Sequence, residues 1–176
     1  MDADHAVFLD ALQGLHRGDF SRLEPLFDAG PAPGNTPRII EWYEKGLLRD
    51  HPEAVAEALS AASFLGKTKV MEYLLAQGVD PAGGAGTGLN AIHWASNRGQ
   101  LDAVRLLIRA KAPLETRNSY GGTVLGGAVF AAFHEPRPTH LQIIEELLEA
   151  GARVEEVDYP TGNERIDTLL GRYRTA

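Results

Sequence analysis

The sequence predicts an all-α solenoid: antiparallel helix pairs stacked side by side, joined by hairpin-like turns and closed at both ends by helical caps. Three observations carry this. An amphipathic helical stretch occurs four times along the chain. The turn residues before it (Gly18, Gly66, Gly99 and Thr139) are spaced by 48, 33 and 40 residues. The residues that close it (Gly30, Gly78, Lys111 and Gly151) repeat the same three steps. Two landmarks with identical offsets define a 33-residue unit, with an insertion of 15 residues before the second copy and of 7 inside the last.

The first copy, FSRLEPLFDAGP from Phe20, is degenerate, because Pro25 falls inside its helix. The interruption that follows carries its own helix: Thr36-Pro37 reads as an N-cap with proline at the first helical position, and Ile39, Ile40, Tyr43 and Leu47 form an apolar stripe. Gly46 stops it. Trp42 and Tyr43 are adjacent, so one faces inwards and the other outwards. A new start at Asp50-His51-Pro52-Glu53 leads into a small-residue helix over 57–63, then TKVMEYLLAQGV from Thr68. The next unit pairs 90–96 with LDAVRLLIRAKA from Leu101, whose Leu101, Val104, Leu107 and Ile108 fall at helical spacing. The last pairs 123–128 with LQIIEELLEAGA from Leu141. Small residues on the first helix of each pair permit close packing. Turn-rich segments at 80–84, 118–122 and 158–162 project between units. A final helix from Glu164 to Tyr173 turns Ile166, Leu169 and Leu170 inwards and covers the open end.

Composition agrees with a folded chain. Of 176 residues, 44 % are hydrophobic and 23 % charged, which excludes wholesale disorder. The 19 glycines exceed the ordinary share of about 7 % and sit largely in the turns. A net charge of −7 disfavours nucleic acid and anionic membranes and mildly suits a basic partner. With no cysteine, disulfides, thiolate metal sites and cysteine nucleophiles are excluded. No apolar run reaches the roughly 20 residues that span a bilayer. The start Met1-Asp2-Ala3-Asp4-His5 lacks the pattern of a signal peptide, which leads us to expect a cytoplasmic location.

A 33-residue helix–turn–helix–finger unit resembles the ankyrin repeat. The best match is Gly88-Leu89-Asn90-Ala91-Ile92-His93-Trp94-Ala95-Ser96-Asn97-Arg98-Gly99-Gln100-Leu101, continuing to Leu106-Leu107-Ile108-Arg109-Ala110-Lys111-Ala112. Gly121-Gly122-Thr123-Val124-Leu125 with Leu147-Leu148-Glu149-Ala150-Gly151-Ala152 follows the same pattern, as does Leu74-Leu75-Ala76-Gln77-Gly78-Val79-Asp80. Lys111 stands where the pattern has glycine, and Gly126 where it has histidine. The resemblance covers 53–157, read as units at 53–85, 86–118 and 119–157 with the insertion at 129–138. Residues 1–52 form a degenerate first unit with helical cap material, and 158–176 a C-terminal cap.

The resemblance implies a non-catalytic module without cofactor that binds a protein partner through its concave face and fingertips, and we expect a monomer. The positions it assigns to contact are Thr87, Leu89, Asn97, Arg98, Ser119, Tyr120 and Tyr159, and the insertion adds Phe130, Phe133 and Arg137. Whether the insertion lies in the interface or plugs the core stays open at this stage. Two other readings remain: a metal-dependent activity built on 129–140, or a dedicated inhibitor of a single partner.

The motifs that suggest other chemistry have simpler readings. Ala61-x4-Gly66-Lys67-Thr68 fits a relaxed phosphate loop, but that loop needs a strand before the glycine, and the pattern here is helical. Gly84-Ala85-Gly86-Thr87-Gly88 is a fragment of a dinucleotide fingerprint without its strand, and reads as a turn. His134-Glu135-Pro136-Arg137-Pro138-Thr139-His140 holds three candidate metal ligands, yet two prolines preclude a fixed helical spacing. His93 reads as a structural histidine tying repeats together. Glu145/Glu146 and Glu155/Glu156 are sequence neighbours that do not share a helix face.

Overall fold

The computed structural model describes residues 3–30, 34–84 and 86–174. Met1 and Asp2 of the start, Pro31 of the first copy, Ala85 of the glycine run and the last two residues of the C-terminal segment lie outside the described residues. Among the described residues the chain forms ten α-helices and no strand. They are α1 (Ala3–Arg17), α2 (Phe20–Phe27), α3 (Arg38–Glu44), α4 (Pro52–Leu65), α5 (Thr68–Ala76), α6 (Ala91–Asn97), α7 (Leu101–Arg109), α8 (Val124–His134), α9 (His140–Glu149) and α10 (Glu164–Arg174). A single 3-10 turn occupies Val154–Glu156.

The array has two rows. Helices α1, α4, α6 and α8 stack in sequence as one row, and α5, α7 and α9 form the second, each pairing with the helix before it. Close approach in the first row follows from its small residues. Ala54, Ala58, Ala61, Ala62, Ala91, Ala95 and Ala128 are all buried. The second row supplies bulk from Met71, Leu74, Val104, Leu107, Ile143, Ile144 and Leu147. This is the all-α solenoid that the sequence predicts.

Local signals place the helix ends. Asn90 and Thr123 cap α6 and α8, accepting from the backbone N–H of His93 at 3.3 Å and of Gly126 at 3.2 Å. Pro52 begins α4 at its first turn. Thr36 does not cap α3: the cap position falls on Pro37, and no side chain satisfies the first amides. The helix then ends at Glu44, with Gly46 in the left-handed region at φ 74°. Trp42 faces inwards, edge-on to Phe8 at 5.2 Å, while Tyr43 is half-buried against Tyr73. Pro25 stays inside α2, which runs only eight residues.

Successive units are tied turn to turn. Gln100 Nε2 donates to the Phe64 carbonyl at 3.2 Å, and Thr139 Oγ1 to the Gly99 carbonyl at 2.7 Å. Lys67 sits between Glu24 at 2.8 Å and Asp28 at 2.6 Å, fastening the turn of the second pair to α2. That engagement, with Gly66 ending the preceding helix at φ 70°, makes the apparent phosphate loop a repeat turn. Phe20, Phe64 and Trp94 meet edge-to-face at 5.4–5.7 Å, so the first unit touches the third directly. At the other end α10 lays buried Ile166, Leu169 and Leu170 along the array.

Lys111 departs from the pattern with a physical cost. It closes α7 at φ 59°, where the equivalent Gly78 and Gly151 hold 84° and 97°. A left-handed conformation strains a residue that carries a Cβ. Lys111→Gly is expected to stabilise the fold by about 1 kcal/mol, read from urea unfolding as a raised midpoint at unchanged slope.

Candidate partner-binding groove

The groove begins with α8. No proline occurs between Thr123 and Pro136, and despite two glycines in its first turn the helix runs eleven residues to His134, four more than α6. Its last turn lifts Phe130 and Phe133 out of the array, where they are 64 % and 40 % exposed. These residues therefore line the surface and do not plug the core. The first turn of the same helix carries Gly126 and Gly127, which leave the groove floor bare. A Cβ built at Gly126 would meet only Thr123 Oγ1, at 3.5 Å.

Two fingers make the opposite wall. In the second finger Asn118 Oδ1 accepts from the backbone N–H groups of Tyr120 and Gly122, both at 3.0 Å. Ser119 donates its backbone N–H to the Gly88 carbonyl at 2.9 Å, joining the finger to its neighbour. This bracing holds Tyr120 out at 88 % exposure. In the last finger Asp167 Oδ1 accepts from Thr161 N–H at 2.7 Å and from Thr161 Oγ1 at 2.6 Å. The Thr161 hydroxyl bond, aided by backbone bonds from Thr161 and Gly162, lowers the Asp167 pKa. Between these walls lies a groove of about 880 Å³, whose lining includes Leu89, Asn97, Tyr120, Val129, Phe130, Phe133 and Pro160. A smaller cleft of about 210 Å³ adjoins it, sharing Asn97, Phe130 and His134 and adding Phe64, Trp94 and Arg98.

The positions expected from the sequence divide accordingly. Leu89, Asn97, Tyr120, Phe130 and Phe133 come together in the groove, and Arg98 borders the adjoining cleft. The Arg98 guanidinium lies over the Phe64 ring at 4.5 Å and reaches Glu135 at 3.7 Å. Thr87 turns inwards: its Oγ1 accepts from the Trp94 indole at 3.2 Å. Ser119 is exposed but outside the groove lining. Arg137 lies over Gly99, and Tyr159, exposed but outside the groove lining, holds the Arg174 guanidinium 4.8 Å from its ring. The sequence assigns no contact role to Gly126 or Gly127 of the floor, nor to Val129, Val157 and Asp158 on the walls. Two adjacent glycines inside a helix were the available signal for the floor.

The histidines of the insertion point apart. His134 stacks on Phe130 at 4.1 Å. His140 is buried; its Nδ1 accepts from the Arg137 backbone N–H at 3.1 Å, so its Nε2 carries the proton and donates to the Asn97 carbonyl at 3.3 Å. Burial, assisted by the nearby Arg137 charge, lowers its pKa and favours this neutral form. Among the described residues no group of three His, Cys, Asp or Glu side chains is placed to hold a metal ion. His93 is buried with Nδ1 2.7 Å from Asn90 Oδ1, and burial likewise lowers its pKa.

No curated protein matches the chain. The family comparison does: residues 58–158 match ankyrin repeats in three copies, over the helix pairs and fingers just described. With more than half its length in that match, the chain belongs to the ankyrin-repeat family.

Proposed function

We propose that this protein is a non-catalytic recognition module that holds a segment of a partner protein in the groove between α8 and the fingers. Ankyrin repeats generally serve protein–protein interaction. The observation that carries the reading here is the exposed Tyr120, Phe130 and Phe133 around one open trough. Large rigid aromatics carry much of the energy in protein interfaces, and a soluble surface gains nothing by exposing three together. A catalytic reading needs titratable groups that converge, whereas His134, Glu135 and His140 are each engaged with a different neighbour.

The test is quantitative affinity purification with the full chain as bait, alongside Tyr120→Ala, Arg98→Ala and Gly126→Leu. Each variant is first shown to be folded by circular dichroism and melting. Gly126→Leu fills the floor, so specific partners are expected to fall away with it and to weaken with Tyr120→Ala, by about tenfold for a central anchor. Folded variants that keep every partner would reject the groove.

A further inference from the structure

We propose that the segment held in this groove combines a large apolar anchor with an adjacent arginine or lysine. The proposal rests on the reading of the groove as a protein-recognition surface and adds the chemistry of its occupant.

The apolar requirement comes from the walls. Leu89, Val129, Phe130, Phe133, Val157 and Pro160 surround a floor without side chains, in a volume large enough for more than one side chain. An aromatic or long aliphatic anchor covers the exposed faces of Phe130, Phe133 and Pro160 and removes them from water, while the already buried Leu89, Val129 and Val157 back them.

The sign of the charge comes from which polar atoms at the groove are already taken. Glu156 is held between two cations, paired with Arg117 and lying 3.2 Å from Arg153. Arg153 also reaches Glu115 at 3.4 Å, and Arg117 donates to the Gly121 carbonyl at 2.8 Å. Both arginines on this side are therefore committed, and an acidic segment would have to displace internal pairs. Of the two carboxylates in the lining, Glu156 is paired and Asp158 is open, and Asn97 contributes an acceptor without a donor. Asp158, which is exposed, makes no ion pair among the described residues. The buried Asn97 Oδ1 has no hydrogen-bond partner and lies beside Gly127, where an added Cβ would come within 3.1 Å of it. Closing an occupant over the unpaired, exposed Asp158 carboxylate is costly unless the occupant brings a donor to it, which favours a cationic side chain there. The chain's net charge of −7 steers a basic segment in the same sense.

The experiment selects random dodecapeptides on phage against the full chain, then measures binding of synthetic, fluorophore-labelled copies of the enriched sequences by anisotropy. Enriched peptides are expected to share an aromatic or long aliphatic residue with a nearby Arg or Lys, and to be poor in Asp and Glu. Gly126→Leu should weaken them by about tenfold or more, and Asp158→Asn by about fivefold, with a shallower salt dependence. Copies with Arg and Lys replaced by Glu should not bind. If Gly126→Leu abolishes binding but the peptides lack basic residues or ignore Asp158→Asn, the occupant's chemistry is wrong and the groove stands. If no enriched peptide responds to Gly126→Leu, the groove itself fails and the proposal with it.

Discussion

Trp94→Ala is expected to cost about 3 kcal/mol of unfolding free energy, a large share of the 5–15 kcal/mol typical of a domain. The indole is the meeting point of three units. It lies edge-on to Phe20 at 5.5 Å and to Phe64 at 5.4 Å, and its N–H donates to Thr87 in the finger. In most repeat arrays each unit touches only its neighbours, so stability is a sum of adjacent terms. Here Phe20 of the first pair reaches Trp94 of the third, and truncation removes a link of longer range. Urea unfolding read separately by circular dichroism and by tryptophan fluorescence, which in the variant reports Trp42 alone, should therefore part into two transitions in the variant and coincide in the parent. A Phe20→Leu/Trp94→Ala double-mutant cycle should leave about 1 kcal/mol of coupling. Additive single effects would show that the rings merely fill space.

The second large effect is a dependence on pH through Glu57. This side chain is only 2 % exposed, and its Oε1 accepts from the Gly86 backbone N–H at 2.7 Å. Beside it Ser60 Oγ donates to the Gly84 carbonyl at 2.9 Å, so α4 grips the first finger at two points. Burial pushes the Glu57 pKa up to about 7, against the opposing bonds from Gly86 and Thr87 and with a further push from Glu53. The folded state then keeps a proton that the unfolded chain, with an ordinary pKa of 4.5, has released. Stability from this group falls as pH rises from about 4.5 to about 7 and is level above that. Glu57→Gln retains the acceptor for Gly86 and removes the titration. Relative to the parent, the variant should become more stable between pH 5 and pH 8 by about 2 kcal/mol, measured by urea unfolding at each pH. A constant difference across that range would mean that Glu57 stays charged in the fold.

How much of this was legible in the sequence depends on whether a feature is periodic. The helix pairs were, because apolar spacing and the turn residues recur at fixed steps, and the interior face of α10 followed from Ile166, Leu169 and Leu170 alone. Tyr120 could be placed at a fingertip for the same reason. The last turn of α8 is harder to read, since Pro136 and Pro138 suggest an irregular insertion, whereas Pro136 lies just beyond the helix, where it bears on Glu135 and leaves Phe130 to His134 helical. Thr87 lies outside the groove lining because its hydroxyl is held by a side chain seven residues on, the Trp94 indole, which no local pattern encodes. Glu57 carried a signal that was not used. Residues 54, 57, 58 and 61 form one helical stripe, and the other three are alanines.

The uneven fastening of the array gives it a direction under load. At the N-terminal end three rings and the Lys67 pairs clamp α2 to the units beyond it, while α10 is held by Ile166, Leu169 and Leu170 and by a 4.0 Å contact between Arg172 and Glu145. Pulled from its two ends, the chain should shed α10 and the last finger first. That finger supplies Asp158 and Pro160 to the groove, so tension would open the binding trough before it disturbed the repeats beneath.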